Sequence, residues 1–130
     1  CVSKFFNCSG GAACVSQRRR PSFSTAVAKD SFRCRVFTAA EQAYCLSRGK
    51  QSDASFAGIY AAKEAFVKAL GTGFRHGTWQ DMEVYHDDLG APELRVSGVF
   101  GDLAAKAGVT AIELSISHCR DYATATVLLV

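Results

Sequence analysis

Glu64 and Lys68 stand four residues apart in the stretch AAKEAFVKALGTG (61–73), with Lys63 beside them and Gly71 and Gly73 at its end. Residues four apart share one edge of a helix, and Lys63 lies one step round, within reach of that edge. A carboxylate with two ammonium groups around it can hold a divalent cation or take a proton, while the lysines counter phosphate charge. Magnesium commonly binds one or two carboxylates together with substrate phosphates. Glycines just past the helix let a ligand approach the backbone closely. A solvated surface ion pair, worth about a few tenths of a kcal/mol, accounts for the same residues.

The elements that carry these residues follow from periodicity and caps. Over 54–70, Ile59, Ala62, Phe66, Ala69 and Leu70 recur at spacings of three and four, which predicts the strongest helix of the chain. Gly71 and Gly73 supply its left-handed stop. FTAAEQAYCLSRG (37–49) predicts a helix before it, with Thr38 as N-cap, Glu41 closing a capping box and Gly49 ending it. QDMEVYHDD (80–88) and ELRVSG (93–98) read as antiparallel strands joined by the turn LGAP (89–92). A short helix over roughly 99–107 is closed by Gly108. IELSISH (112–118) alternates, with Ile112, Leu114 and Ile116 on one face and Glu113, Ser115 and Ser117 on the other. ATATVLLV (123–130) is a final strand. Helices followed by antiparallel strands define an α+β domain.

With 130 residues, 48% of them hydrophobic and 21% charged, the chain suits one domain able to bury a core without staples. No apolar run reaches the roughly 20 residues that span a bilayer, and no membrane partner is expected. The net charge of +3 is unevenly spread. Lys4, Arg18, Arg19, Arg20 and Lys29 fall in residues 1–29, which hold no acid, while all 12 acids lie beyond. So local an excess is weak ground for nucleic-acid binding, and no nucleic-acid partner is expected. Six cysteines (Cys1, Cys8, Cys14, Cys34, Cys45, Cys119) make an even count, but with no CxxC pair they read as free thiols rather than disulfides or a zinc site. Residues 1–29 show no clear period and divide the chain into an atypical N-terminal segment, 1–29, and a domain over 30–130. The Ser- and Arg-rich, acid-free composition of that segment resembles an organelle transit sequence; a poorly ordered N-terminus is the alternative. The expected location is cytoplasmic, or an organelle matrix if the segment is transit-like.

The order along the chain carries a resemblance. FAGIYAAKEAFVKALGTGF (56–74), DMEV (81–84), DDLGAPEL (87–94) and LSISHCRDYATATVLL (114–129), preceded by RVFTAAEQAYC (35–45), are similar in sequence and spacing to the holo-[acyl-carrier-protein] synthase family, the short 4′-phosphopantetheinyl transferases. The resemblance implies an antiparallel sheet packed against a long central helix, and a homotrimer with active sites between subunits. It implies transfer of the 4′-phosphopantetheine arm of coenzyme A to a serine of apo acyl carrier protein, with magnesium bridging enzyme and diphosphate. By resemblance Glu64 is the metal ligand and helps activate the serine, and Lys63 and Lys68 are phosphate-side cations. The same resemblance implies that Lys63, Gly71, Gly73, Ser115, Ser117, His118 and Arg20 lie near the coenzyme. A half-exposed polar strand face is the plainer reading of Ser115, Ser117 and His118. His76 and His86 receive no role. The acidic carrier calls for a basic docking surface, for which Arg18, Arg19, Arg20, Arg33 and Arg35 are candidates.

Three departures accompany the resemblance. The family's first strand carries a Gly-x-Asp motif whose aspartate is a second magnesium ligand; counting back from Phe37 lands near Cys14, and no aspartate precedes Asp30. Ile59 stands where members usually carry arginine, and Glu113 where many carry histidine. An alternative expectation is therefore a catalytically impaired subunit that keeps the fold and binds coenzyme A or a carrier protein.

Overall fold

The computed structural model describes residues 2–7, 11–74 and 77–130, the first of these segments by its backbone alone. Two strands, β1 (Val2–Asn7) and β2 (Gly11–Arg18), open the chain. Three helices follow, α1 (Pro21–Val27), α2 (Asp30–Val36) and α3 (Ala39–Ser47), and then the long helix α4 (Ser52–Leu70). The remainder is β3 (Met82–His86), β4 (Pro92–Val96), α5 (Gly98–Lys106), β5 (Ile112–His118) and β6 (Tyr122–Leu129). The strands form an antiparallel sheet in the order β1-β2-β6-β5 and a separate hairpin of β3 and β4. This is the α+β arrangement expected, with the long helix laid on the larger sheet.

Most expected boundaries hold within two or three residues. Thr38 caps α3 and forms the full box with Glu41. Gly71 closes α4 in the left-handed conformation, at φ +80°, and Gly73 follows at φ +64°. The N-terminal region is the main difference. Residues 11–18 showed no legible period, yet they form β2 between β1 and β6, pairing the start of the chain with its end. Only Ala13 and Val15 of this strand are buried, and both are small. The apolar signal is short because an alanine-rich helix lies close on the strand and leaves room for small side chains only. Two further helices, α1 and α2, precede the α3 cap with no clear period in their sequence; Pro21 at the start of α1 is the local cue.

α4 is the centre of the packing. Its burial extends far beyond the stripe through Ile59, Ala62 and Phe66: Ala54, Ala57, Ala61 and Ala65 are fully buried as well. Alanine lets the helix sit close to β2 and β6. How close is shown by Gly11, where a Cβ would stand 2.2 Å from the Ala69 carbonyl oxygen. Gly58 performs the same service toward β5, where a Cβ would meet Ile116 Cγ2 at 2.8 Å. On the other flank, Phe37 packs edge-on to Phe56, with centroids 4.8 Å apart, and Phe66 does so to Phe100.

Cys14, Cys34, Cys45 and Cys119 are free, as expected; Cys1, Cys8 and His76 lie outside the described residues. Burial pushes the Cys45 thiol up to about 12, so it remains protonated and packs as a small apolar side chain. Among the described residues no helix is long and apolar enough to cross a membrane.

Candidate active site

The edge of α4 that carries Glu64 also carries Tyr60 and Lys68; all three are half-buried. Glu64 therefore keeps contact with solvent while one side rests on the protein. Burial pushes the Tyr60 phenol up to about 12, and the charge of Glu64 and a hydrogen bond to it act in the same direction, against Arg35. The phenol stays protonated and donates toward the carboxylate.

Lys63 does not share this edge, which corrects the phosphate-side role expected for it. It is fully buried. Its Nζ donates to Glu41 Oε2 at 2.7 Å, to the Val36 carbonyl at 2.7 Å and to the Trp79 carbonyl at 3.2 Å, so all three ammonium protons are taken. The ring of Phe37 lies 5.7 Å away. One residue along a helix is a rotation of about 100°, which turns Lys63 toward α2, α3 and the turn over 79–81 rather than toward Glu64. Glu41, its partner, also accepts from the Thr38 amide at 2.9 Å and the Val84 amide at 2.7 Å. Burial raises the Glu41 carboxyl and lowers the Lys63 ammonium, and each partner opposes the other's shift. The pair clasps α2, α3, α4, β3 and the 3-10 turn over 79–81. The sequence showed Glu41 as a cap and gave no sign of this second partner, because the two residues are 22 positions apart.

Cys14 does not join Glu64 either. Its neighbours Ala13 and Val15 are the residues buried under α4, so alternation places Cys14 on the outer face of the sheet, paired with Thr126. Ser115 and Ser117 lie on that same outer face, opposite Thr126 and Thr124, and both are exposed. His118 alternates to the other side. It lines a cleft of about 200 Å³ together with Tyr44, Arg48, Ser55, Ile59 and His86. Gly71 and Gly73 are exposed beyond the end of α4, with open space where a Cβ would be.

Tyr44, Arg48 and Ser55 are cleft residues that the sequence did not single out, and His86, given no role there, lines the cleft with them. His86 stacks on Tyr44, with centroids 4.1 Å apart and planes 17° from parallel. Burial and the nearby Arg48 lower its pKa, with Asp87 opposing, so the imidazole is neutral at pH 7. Ser55 and Ile59 lie about 140–180° around α4 from Glu64 and Lys68, at 100° per residue. One chain therefore displays two separate polar features on opposite sides of one helix: a carboxylate–lysine edge, and a cleft with two imidazoles and a guanidinium.

The basic side chains of the N-terminal half divide into tethered and exposed ones. Arg19 Nη1 donates to the carbonyls of Cys119 and Arg120, tying β2 to the β5–β6 turn. Arg33 pairs with Asp30 and donates to the Val27 carbonyl. Arg18 lies over the Tyr122 ring and Arg35 over Phe32. Arg18, Arg20, Lys29 and Arg35 are exposed.

The sequence profile of the 4′-phosphopantetheinyl transferase superfamily matches residues 14–127. The holo-[acyl-carrier-protein] synthase of Geotalea daltonii is 50% identical over 96 residues, which are 73% of this chain and 76% of that protein. Among solved structures, the holo-[acyl-carrier-protein] synthase of Neisseria meningitidis superposes with a TM-score of 0.82 at 27% identity, covering 92% of this chain and 97% of that one. The Bacillus anthracis synthase, solved with coenzyme A (3′,5′-ADP), gives 0.74 at 30% identity over 92% and 94% of the two chains. These matches define a phosphopantetheinyl-transfer enzyme. Within that superfamily, the chain belongs to the holo-[acyl-carrier-protein] synthase family.

Proposed function

We propose that this protein moves the 4′-phosphopantetheine arm of coenzyme A onto a serine of an apo acyl carrier protein, releasing adenosine 3′,5′-bisphosphate, in fatty-acid or polyketide synthesis. The observation that carries the reading is the half-exposed Glu64 carboxylate beside Lys68, on the helix that the family resemblance centres on. In the reaction the serine oxygen forms a bond to the β-phosphorus, and the bond from that phosphorus to the bridging diphosphate oxygen breaks. The serine proton passes to Glu64, directly or through water. Lys68 stabilises the charge that develops on the departing phosphate.

The donor set fits magnesium of the kind that arrives with phosphate. Among the described residues no three His, Cys, Asp or Glu side chains converge, and Cys14 faces away, but one carboxylate with diphosphate oxygens and water is a complete magnesium environment. Glu64 would hold the ion, whose chemistry when bound is to neutralise charge on the diphosphate. Gly71 and Gly73 leave the end of α4 open to the coenzyme.

The cleft on the far side of α4 supplies the remaining contacts. His118, Arg48 and the Tyr44–His86 stack suit a phosphorylated nucleotide, offering a cation, imidazoles and an aromatic face. Because cleft and carboxylate lie on opposite sides of the helix, we propose that one copy's cleft meets another copy's Glu64 edge in a homotrimer. The exposed, small-residue outer sheet face with Ser115 and Ser117 is then available to pack between copies. Arg18, Arg20, Lys29 and Arg35 form the basic surface for an acidic carrier, and the proposed location is cytoplasmic.

The test is mass spectrometry of an apo carrier protein incubated with coenzyme A, magnesium and the enzyme. The carrier should gain the mass of the arm, and Glu64→Ala should abolish the gain; full activity in that variant would remove Glu64 from the chemistry. A monomer in sedimentation at assay concentration would sink the shared-site arrangement.

A further inference from the structure

Tyr60 stands one turn before Glu64 on α4, and its ring is held on three sides. It stacks on Trp79 (centroids 5.1 Å apart, 25° between planes), meets the edge of Phe23 from α1 at 5.8 Å and tilts against Phe32 from α2 at 6.3 Å. Trp79 is anchored in turn: its carbonyl accepts from Lys63, and Phe74 packs on its ring at 4.1 Å. A tyrosine has two side-chain torsions, and a ring clamped in this way leaves neither free. Its hydroxyl, directed at the Glu64 carboxylate, is therefore a fixed point. Glutamate has three torsions and, on a half-exposed helix edge, samples several rotamers unless something restrains it.

We propose that Tyr60 is a positioning residue for Glu64: its hydroxyl, immobilised between Trp79, Phe23 and Phe32, selects the carboxylate rotamer that meets the cation and diphosphate. This rests on the metal-holding role given to Glu64 above. The ring alone would serve packing; the hydroxyl adds orientation. The Lys63–Glu41 clasp reaches the same end indirectly, by seating Trp79.

Tyr60→Phe separates these contributions, because it keeps the aromatic contacts and removes one oxygen. Calorimetry of coenzyme A binding, titrated with magnesium and with no carrier protein present, reads the metal's contribution without turnover. Partners that orient a metal ligand are worth about 10- to 100-fold in metal affinity or activity. Tyr60→Phe should therefore need about 10-fold more magnesium for half of its effect on coenzyme A binding, with an unchanged melting temperature. In the transfer assay the magnesium requirement should rise in parallel, and saturating magnesium should restore much of kcat. Glu64→Ala, measured alongside, should lose the magnesium response altogether. A wild-type magnesium response in Tyr60→Phe, with the response lost in Glu64→Ala, overturns the role of Tyr60 and leaves that of Glu64 intact. A wild-type response in Glu64→Ala overturns both. Loss of melting temperature in Tyr60→Phe with no change in magnesium response assigns the hydroxyl to stability alone, and also overturns the proposal.

Discussion

Lys63→Met tests the most consequential difference between the sequence reading and the structure. The substitution keeps a flexible apolar stem and removes the ammonium. Glu41 then remains fully buried without its cation, and the carbonyls of Val36 and Trp79 lose their donor. Removing one partner of a buried ion pair costs about 3–5 kcal/mol. For a chain of this size each kcal/mol lowers the melting temperature by about 3–5 °C, so the expected fall is about 9–25 °C. Glu41→Leu should be at least as damaging, because it also strips the Thr38 and Val84 amides of their acceptor, at about 1–3 kcal/mol for each group left unpaired. The double variant Glu41→Gln with Lys63→Met carries no buried charge and keeps an amide oxygen for Val84. It should be less destabilised than Glu41→Gln and Lys63→Met measured singly and added together, by about 1–3 kcal/mol. The assay is urea denaturation at one fixed protein concentration, since assembly would make the midpoint concentration-dependent. A Lys63→Met protein with wild-type stability and no transfer activity would refute this reasoning and return Lys63 to the phosphate. Additive single and double variants would show that the two charges do not interact.

Other outcomes follow from separate contacts. Gly11→Ala places a methyl group 2.2 Å from the Ala69 carbonyl oxygen, a backbone atom that moves only with α4; it should lower stability by about 1–3 kcal/mol in the same denaturation assay. The His86 imidazole is lowered from 6.5, so the unfolded chain takes up a proton first as pH falls. That site's contribution to stability should fall as pH drops through 6.5, and His86→Phe should flatten the melting-temperature profile there. Tyr44→Ala removes the stack from the cleft and should weaken coenzyme A binding in calorimetry without altering its magnesium response. An equal loss in both would place Tyr44 at the Glu64 edge instead.

Local information in the sequence determined a great deal. The Thr38–Glu41 box, the Gly71 stop, the turn at 89–92 and the alternation over 112–118 are set by neighbours within a few residues, so α3, α4, the β3–β4 hairpin and β5 were legible. So was the presence of Glu64 and Lys68 on one helix edge, since helical period alone decides it. β2 was not legible, because two small buried residues under a helix leave almost no apolar pattern; its place is decided by pairing with β6, more than a hundred positions away. Nor could spacing distinguish Lys63 from Lys68. Both follow the same local rules, and only the packing of α2, α3 and the turn over 79–81 around Lys63 supplies the carboxylate and carbonyls that turn one lysine inward and leave the other at the surface. The same holds for Ser115, Ser117 and His118: alternation assigns them to two faces, but which face meets α4 is settled by the helix, through contacts that no short window of sequence contains.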